Sequence, residues 1–261
     1  MIRWLALRAA LFLAFAFLLA PVCIVIIVSF NGGPVLSFPP THFTTHWYAL
    51  IKPEFFAALN VSLIVAGATA LLSVALGLPA ALALSRGRFP GRDGLNSILL
   101  SPLVVPALVT GVALYQFSLT FWDFTNLALG GTLIGLIIGH LTFGIPFSVR
   151  AILAGHARFD YALEEAALNL GASHAAVLRT ITLPYLRPAL IGSAAIAFLM
   201  SFENFNTTLM LVGADSPLTI MMYGRMREGA TPVLNAVSLF LMTASALLAL
   251  SLMRRPRVPQ P

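Results

Sequence analysis

Few side chains in this sequence could do chemistry, and most of them lack the partners that a reaction needs. His42 and His46 stand four residues apart, which can bind a metal on a helix, but no third ligand is nearby and a closed zinc site needs three or four. Lys52, the single lysine, lies outside any phosphate-binding loop of the form G-x-x-x-x-G-K-[ST]. The metalloprotease and serine-hydrolase signatures H-E-x-x-H and G-x-S-x-G do not occur. The sequence therefore predicts a chain that is not an enzyme, with no metal site.

One carboxylate stands out because of its apolar surroundings. Glu203 lies in FLMSFENFNTTLML, residues 198–211, within a run long enough to cross a membrane. A carboxylate at membrane depth is costly unless it is paired or lines a cavity, so such a residue indicates a functional site. On a continuous helix Glu203, Asn206 or Thr207, and Met210 share one face. We predict a substrate pathway lined by Glu203, Asn204, Asn206 and Thr207, favouring a cation; the alternative is a structural carboxylate hydrogen-bonded within the helix bundle or at a subunit interface.

A second unusual stretch, EEAALNLGASHAAVLRTITLP at residues 164–184, predicts a short helix, a glycine turn and another helix. Asp160 can cap the first helix, and Glu164 and Glu165 then lie near the positive end of its dipole. Gly171 suits the left-handed position that ends a helix. The helical spacing i, i+3, i+4, i+7 places an apolar stripe on one face, formed by Leu163, Ala166, Ala167 and Leu170.

The second helix of this stretch is expected to begin at Ser173 and to run through Ile181, limited by Pro184. Two interpretations of the whole stretch compete. An interfacial helix on lipid normally carries Lys or Arg on its polar face. This helix begins with two glutamates and has a small apolar stripe, which favours insertion into a groove on another protein.

The elements that position these residues follow from the composition. The chain has 261 residues, of which 59% are hydrophobic and 9% charged, with a mean hydropathy of +0.93. Soluble domains carry about a quarter charged residues. The solvent of this chain must therefore be largely lipid, and its net charge of +6 does not indicate nucleic-acid binding. The single cysteine, Cys23, excludes an internal disulfide, and its apolar setting predicts a buried thiol.

A transmembrane helix needs about 20 mostly apolar residues. Six stretches qualify, and the first is too long for a signal peptide. They are Ala9–Phe30, Leu59–Ser85, Leu95–Phe121, Leu129–Leu153, Pro188–Val212 and Val233–Met253. Three pairs of helix-disturbing residues recur within them: Gly77 and Pro79, Pro102 and Pro106, Gly144 and Pro146. Membrane helices ordinarily tolerate Gly and Pro, which is one explanation of these pairs. The other is that they bend or break helices that line a translocation path.

The basic residues predict the orientation of the chain. Twelve of the fifteen Lys and Arg residues fall on one side: Arg3, Arg8, Arg86, Arg88, Arg92, Arg150, Arg158, Arg179, Arg187, Arg254, Arg255 and Arg257. The other side holds Lys52, Arg225 and Arg227. Because cytoplasmic loops carry the excess of positive charge, both termini and the 154–187 loop are expected in the cytoplasm. We expect one transmembrane domain over residues 1–261.

The stretch EAALNLGASHAAVLRTITLP resembles the EAA signature of the membrane subunits of binding-protein-dependent ABC importers. That pattern is E-A-A, three residues, G, nine residues, I-x-L-P, and seven positions match here: Glu165, Ala166, Ala167, Gly171, Ile181, Leu183 and Pro184. Four shorter stretches resemble the polyamine (spermidine/putrescine) subfamily, in particular its C-type subunit. They are SFN at 29–31, FTTHWY at 43–48, HLTFGIPF at 140–147 and LNAVSLFL at 234–241.

The resemblance implies an all-α fold with six transmembrane helices, that of a type I ABC importer permease (MetI-like). It implies a coupling helix that docks on an ATPase, with coupling residues Glu164, Glu165, Ala166, Ala167, Leu170, Gly171, Ile181, Leu183 and Pro184. The implied partners are two ATPase subunits that bind ATP and Mg, a second and different permease chain, a periplasmic solute-binding protein and the lipid of a bacterial inner membrane. This chain would then hold no cofactor and would move its solute by alternating access.

The chain also departs from the polyamine-type pattern. At Glu203 and Asn204 that subfamily usually has two aspartates, so a monocation or an amino-acid derivative is also a candidate solute. Arg225 and Arg227 do not help to attract a polycation and could instead meet acidic groups on a binding protein. The alternative function is a six-span secondary transporter or channel that uses no ATP, which inverted repeats would favour. An integral membrane enzyme would need convergent acid, base or metal groups near one face.

Overall fold

The computed structural model describes residues 2–33, 37–87, 89–229 and 231–253, and it is built of helices. The α-helices are α1 (Ile2–Ser29), α2 (His46–Ala49), α3 (Pro53–Arg86), α4 (Arg92–Leu100), α5 (Ala107–Thr125), α6 (Leu133–His156), α7 (Ala162–Asn169), α8 (His174–Val177), α9 (Leu183–Phe202), α10 (Asn206–Leu211), α11 (Leu218–Glu228) and α12 (Pro232–Met253). A 3-10 turn (Ser101–Leu103) follows α4, and a π turn (Leu178–Thr182) joins α8 to α9. Extended pairing within these ranges is limited to one bridge between Asn31 and Phe43. The all-α prediction is confirmed.

Four helices of the described chain are long and apolar enough to cross a membrane: Leu7–Ser29, Pro53–Arg86, Leu133–His156 and His174–Phe202. The third predicted span is instead two helices, Arg92–Leu103 and Ala107–Thr125, bent by 100° and counting as a fifth span if taken together. The sixth predicted span, Val233–Met253, lies within α12 (Pro232–Met253), a helix of 22 residues. Among the residues whose side chains the structure describes, four or five helices thus qualify as spans by length and composition, and the number six stays a prediction.

The bend follows from the prolines of the predicted third span. Proline has no amide hydrogen and pushes the preceding residue out of helical geometry. Ser101 before Pro102 keeps helical backbone angles, whereas Pro106 caps α5 with extended backbone, so the helix breaks at Pro106, between Leu103 and Ala107. Pro79 and Pro146, in contrast, lie inside the continuous helices α3 and α6. Only one of the three helix-disturbing pairs therefore breaks its helix.

The chain divides into two compact units, Phe56–Met221 and Met1–Phe55 with Met222–Pro261. In the first, α6 packs along α9, and α10 packs on α5 and α6. One buried cluster joins α3, α6 and α9 and consists of Ala81, Leu84, Val149, Ile152 and Leu186. A second joins α3, α6 and α10 through Val65, Leu136 and Leu211. These clusters fix the helices from which the candidate site is built.

Small residues bring α3 and α6 close together. A Cβ atom on Gly77 would lie 2.9 Å from the Ser148 Cβ, and one on Gly144 would collide with the Ser73 hydroxyl. Small residues let helix backbones approach closely in membranes, where packing rather than the hydrophobic effect drives association. Gly77 and Gly144 are therefore packing residues.

Replacing Gly144 with leucine should separate α3 from α6, because the added side chain has no room. Overpacking a well-packed interior typically costs about 1–3 kcal/mol. We expect a lower midpoint for thermal aggregation of the detergent-purified protein, measured by fluorescence-detected chromatography. The matched control is Gly192→Leu on α9, where a Cβ would meet nothing within 4 Å. Equal midpoints for the two variants would contradict this packing.

In the unit of Met1–Phe55 and Met222–Pro261, α1 and α2 both pack on α12. The end of α1 and the residues after it contact α2. The Trp47 indole N–H donates to the Asn31 carbonyl at 2.6 Å, and Ser29 and Tyr48 share a hydrogen bond of 2.9 Å. The stretches SFN and FTTHWY, separate in the sequence, thus contact each other.

The outward surface of α1 is strongly apolar. Phe12 and Phe17 are 73% and 81% exposed. Cys23 is also exposed, so the prediction of a buried thiol is wrong: the apolar residues around it in sequence face outward with it.

The orientation of the chain stays a prediction. Of the twelve basic residues that carry it, Arg88, Arg254, Arg255 and Arg257 lie outside the described residues.

Candidate functional site

The helix α7 begins and ends as its sequence predicts. The Asp160 carboxylate accepts a hydrogen bond of 3.0 Å from the Ala162 amide, satisfying one free donor of the first turn. At the other end Gly171 has a φ of +88°, in the left-handed region that favours glycine. The Gly171 and Ala172 amides donate to the carbonyls of Leu168 and Ala167 at 2.9 and 3.0 Å. This pair of bonds is the Schellman arrangement, and it fixes where α7 stops.

The apolar stripe of α7 faces away from its own chain. Leu163 is 52% exposed and Leu170 is 89% exposed. Ala166 is exposed as well, whereas Ala167 is half-buried. A side chain at Gly171 would meet nothing within 4 Å. The C-terminal end of α7 therefore presents an apolar surface without cover from the described chain.

The two adjacent glutamates have different surroundings. Glu165 is exposed. The Glu164 side chain is only 12% exposed, and its carboxylate lies 2.6 Å from the Arg86 guanidinium at the end of α3. The Thr182 hydroxyl donates to the same carboxylate oxygen, and Arg86 also reaches that hydroxyl at 3.4 Å. The prediction groups Glu164 with the docking residues, but the structure turns its carboxylate toward its own chain.

Aromatic rings hold the segment that enters α7. Phe159 is buried, and its ring centroid lies 5.0 Å from His156, 5.6 Å from Tyr161 and 5.0 Å from Tyr185. His156 ends α6 and Tyr185 lies in the first turn of α9. The start of α7 is thus fixed to α6 and α9, while Ala166 and Leu170 near its end are exposed.

The second helix of the stretch starts as predicted but does not stop. The Ser173 hydroxyl accepts from the Ala176 amide at 3.2 Å and caps α8. The helix then continues through the π turn into α9, so the prediction that Pro184 limits it is wrong. Proline removes one donor from the helical ladder, and the wide turn directly before it accommodates that loss. Ile181 and Leu183 are half-buried and Pro184 is exposed in the first turn of α9.

The helical face predicted for Glu203, Asn206 or Thr207, and Met210 does not form, because α9 ends at Phe202 and α10 begins at Asn206. The lining of a substrate pathway by the predicted residues stays a prediction. The Asn204 side chain stabilises the new helix start, because its oxygen accepts from the Thr207 amide at 3.1 Å in the manner of a helix cap. Asparagine as a cap was the signal in the sequence that could have placed this break.

The four residues predicted to line the pathway differ in their surroundings. Glu203 and Asn206 are exposed in the single chain and Asn204 is half-buried. The Glu203 carboxylate makes no hydrogen bond or ion pair with the residues that the structure describes. Thr207 is fully buried, against Gly111 of α5 and Gly139 of α6. Glu203 and Asn206 thus remain candidates for contact with a solute, and Thr207 has a packing position.

A buried histidine, His140, spans this break. The His140 ring on α6 hydrogen-bonds Ser201 at 2.7 Å and Thr208 at 2.9 Å, one residue from each side of the break. Thr208 also donates to the Asn204 carbonyl. These bonds hold the end of α9 and the start of α10 on α6.

The two arginines of α11 already have partners on their own chain. Arg225 lies 2.5 Å from the Glu54 carboxylate and 3.1 Å from that of Glu228. Glu54, with Glu228, raises the pKa of Arg225 above its usual value. The guanidinium of Arg227 lies 5.9 Å from the centre of the Tyr223 ring.

The histidine pair of the sequence does not share a helix. His42 lies before α2, and His46 is its first residue. The described residues contain no group of three or more His, Cys, Asp or Glu that could hold a metal.

Residues 73–254 match the family described as "Binding-protein-dependent transport system inner membrane component". The match spans more than half of the chain, and the chain belongs to this family: it is an ABC permease, a multi-pass protein of the bacterial inner membrane. The resemblance of the EAA signature to binding-protein-dependent permeases is thereby confirmed.

Individual relatives include two polyamine permeases of Escherichia coli (strain K12). The putrescine transport system permease protein PotI is 29% identical over 238 residues, which is 90% of this chain and 84% of the relative. The spermidine/putrescine transport system permease protein PotC is 28% identical over 246 residues, 91% of this chain and 88% of the relative. The sulfate transport system permease protein CysT of Salmonella typhimurium (strain LT2) is 27% identical over 241 residues, 88% and 87% of the two chains.

The fold agrees with a solved structure. A chain from a bacterial ABC transporter involved in the import of the acidic polysaccharide alginate superposes with a TM-score of 0.75 at 16% identity, covering 98% of this chain and 97% of that one. At this identity the likeness shows the fold alone, which is that of the MetI-like permeases.

Proposed function

We propose that this chain is the membrane subunit of an ATP-driven importer and that α7 is its contact with a separate ATPase. The observation that carries the proposal is the apolar stripe of α7, left uncovered at Leu163, Ala166 and Leu170 on a helix whose start is firmly held. An uncovered apolar face on a short helix suits insertion into a groove of a partner. Glu165, Gly171, Ile181, Leu183 and Pro184 keep the family spacing around it.

The remaining proposed partners are those of the family, together with whatever covers the exposed apolar residues of the membrane helices. In this proposal the 154–187 segment and both termini lie in the cytoplasm, where the ATPase pair binds ATP and Mg. A second permease chain and lipid cover apolar residues such as Phe17 of α1, and a periplasmic binding protein delivers the solute. Closure of the ATPase pair moves α7 and opens the path outward, and hydrolysis returns it inward.

The solute proposed here is a small organic cation of the polyamine class. Two relatives are polyamine permeases by name, and Glu203 offers a carboxylate that its own described chain leaves unpaired. An anion is the competing choice because another relative is a sulfate permease.

The test measures ATP hydrolysis and solute uptake in proteoliposomes that contain this chain together with the proposed ATPase, second permease chain and binding protein. Putrescine, spermidine and sulfate are added in turn. We expect stimulation by a polyamine. Stimulation by sulfate alone would keep the importer and reject the cation. Uptake that continues without ATP would reject the importer in favour of a secondary transporter or channel.

Replacing Glu203 with glutamine should weaken uptake of a cation while preserving the shape of the side chain. Two unit charges 4 Å apart attract by about 1 kcal/mol in water and more in a less polar setting, so we expect uptake to fall by about fivefold or more. The measurement is labelled-putrescine uptake at low concentration. Asp215→Asn, which neutralises an exposed acid after α10, is the control. Equal uptake by the two variants would return Glu203 to a structural role.

A further inference from the structure

The cluster of Arg86, Glu164 and Thr182 ties α7 to two membrane helices. Arg86 is the last residue of α3, Glu164 lies in the first turn of α7, and Thr182 is the last residue of the π turn that leads into α9. The ion pair measures 2.6 Å, and the Thr182 hydroxyl is fully buried beneath it. One carboxylate therefore receives hydrogen bonds from two elements that are distant in sequence from each other.

The core directly below this cluster is continuous with the spans. Leu84 lies two residues before Arg86, Leu186 lies four residues after Thr182, and both belong to the buried cluster that joins α3, α6 and α9. Packed interiors transmit displacement because they are dense and yield little. A displacement of the start of α7 would thus reach the ends of α3 and α9 together.

The rest of α7 has no comparable attachment. Leu170 is 89% exposed, and Glu165, next to the anchored Glu164, is exposed too. The helix is therefore anchored by side-chain bonds at its first turn and exposes an apolar face at its last turn. A partner that binds and moves this exposed face would displace the anchored first turn as well. Hydrogen bonds between charged groups are about twice as strong as those between neutral groups, so the bond from Arg86 to Glu164 suits an anchor at the first turn.

We propose that Glu164 is a positioning residue, which with Arg86 and Thr182 transmits movement of α7 to α3 and α9, and that it does not contact the ATPase. This inference rests on the proposed function. It separates the two adjacent glutamates: Glu165 faces the partner, and Glu164 holds the helix that carries it.

The test uses the complete complex in proteoliposomes, with putrescine as the probe, and measures molecules transported per ATP hydrolysed. A residue needed only for folding lowers the amount of active complex but leaves this ratio unchanged. We expect Glu164→Gln and Arg86→Gln each to lower the ratio at least threefold while the ATPase still copurifies. The reversed pair, Glu164→Arg with Arg86→Glu, should recover at least half of the wild-type ratio.

Thr182→Val removes one hydroxyl at nearly constant volume, and Thr182→Ser retains it. We expect the valine variant to lower the ratio of transport to hydrolysis and the serine variant to preserve it. This pair tests the positioning role even if Glu164→Gln and Arg86→Gln do not assemble into complexes. Wild-type ratios in Arg86→Gln and Thr182→Val would overturn the inference. A defect in Glu164→Gln alone would also overturn it, because Glu164 would then act on the ATPase directly.

Failure of the proposed function can be distinguished from failure of the positioning role. A wild-type complex that does not assemble with the ATPase, or that transports without ATP, rejects the importer itself. Normal coupling in the wild type and in every variant rejects only the positioning role.

Discussion

Replacing Gly171 with valine is expected to lower ATP-driven uptake at least tenfold while leaving the membrane helices inserted. Gly171 has a φ of +88°, and a residue with a Cβ in the left-handed region costs about 1–2 kcal/mol, more when it is β-branched. The Schellman bonds to Leu168 and Ala167 would be lost, and with them the direction in which Leu170 points. Since about 1.4 kcal/mol is a factor of ten in an equilibrium, we expect putrescine uptake to fall at least tenfold.

The matched control for this variant is Gly91→Val. Gly91 caps α4 with a φ of +85°, and like Gly171 it would place a Cβ in open space. Both variants place a Cβ atom on a residue of positive φ, but only Gly171 lies beside the exposed apolar stripe of α7. Copurification of the ATPase and uptake are measured for each. Uptake lowered equally by the two substitutions would mean that strain in general, and not the end of α7, is responsible.

Replacing Leu170 with aspartate is expected to release the ATPase from the complex. Leu170 is 89% exposed in the chain, so the substitution removes no internal packing. Burying a leucine side chain against a partner is worth about 1.5–3 kcal/mol, and an unpaired carboxylate in the same groove adds a further penalty. We expect the affinity for the ATPase to fall at least about tenfold, measured by titrating ATPase into the detergent-solubilised permease pair.

The control is Leu127→Asp. Leu127 is 63% exposed and lies in the loop after α5, which the predicted orientation places on the opposite side of the membrane. The substitution introduces the same aspartate side chain at another exposed leucine. Wild-type affinity in Leu170→Asp would reject α7 as the docking helix, whereas loss of affinity in Leu127→Asp would reject the predicted orientation.

Local signals predicted the candidate site well where the chain itself sets the geometry. Asp160, Gly171 and Ser173 act as the caps and turn that their residue types indicate, because capping depends on backbone groups a few residues away. The helical spacing also placed Leu163 and Leu170 on one exposed face. These features need no knowledge of the rest of the fold.

Long-range contacts could not be predicted in this way. Glu164 and Arg86 are separated by 78 positions, and nothing in their spacing shows that α3 ends beside α7. Two adjacent glutamates at one helix start look equivalent in the sequence, yet one is anchored and the other is exposed. Hydropathy also could not show which proline breaks its helix: Pro106 does, whereas Pro146 does not.

The break at Glu203 shows a different limit. Its flanking residues are apolar enough to extend a helix by composition, but Asn204 caps α10 and His140 holds Ser201 and Thr208 across the gap. Periodicity alone assumes a continuous helix, so it gave the wrong face for this segment. The carboxylate of Glu203 is consequently displayed at a helix end.

The measurement that tests the central claim most directly is a cross-link from the end of α7 to the ATPase. Cys23 is the single cysteine, so Leu170→Cys in a Cys23→Ser background gives one reactive thiol on this chain. A short thiol-to-amine cross-linker is added to the active complex, with Leu127→Cys in the same background as the comparison. We predict a covalent product of this chain and the ATPase subunit from position 170 and none from position 127. An active complex that yields no such product from position 170 would contradict the assignment of α7 as the docking helix.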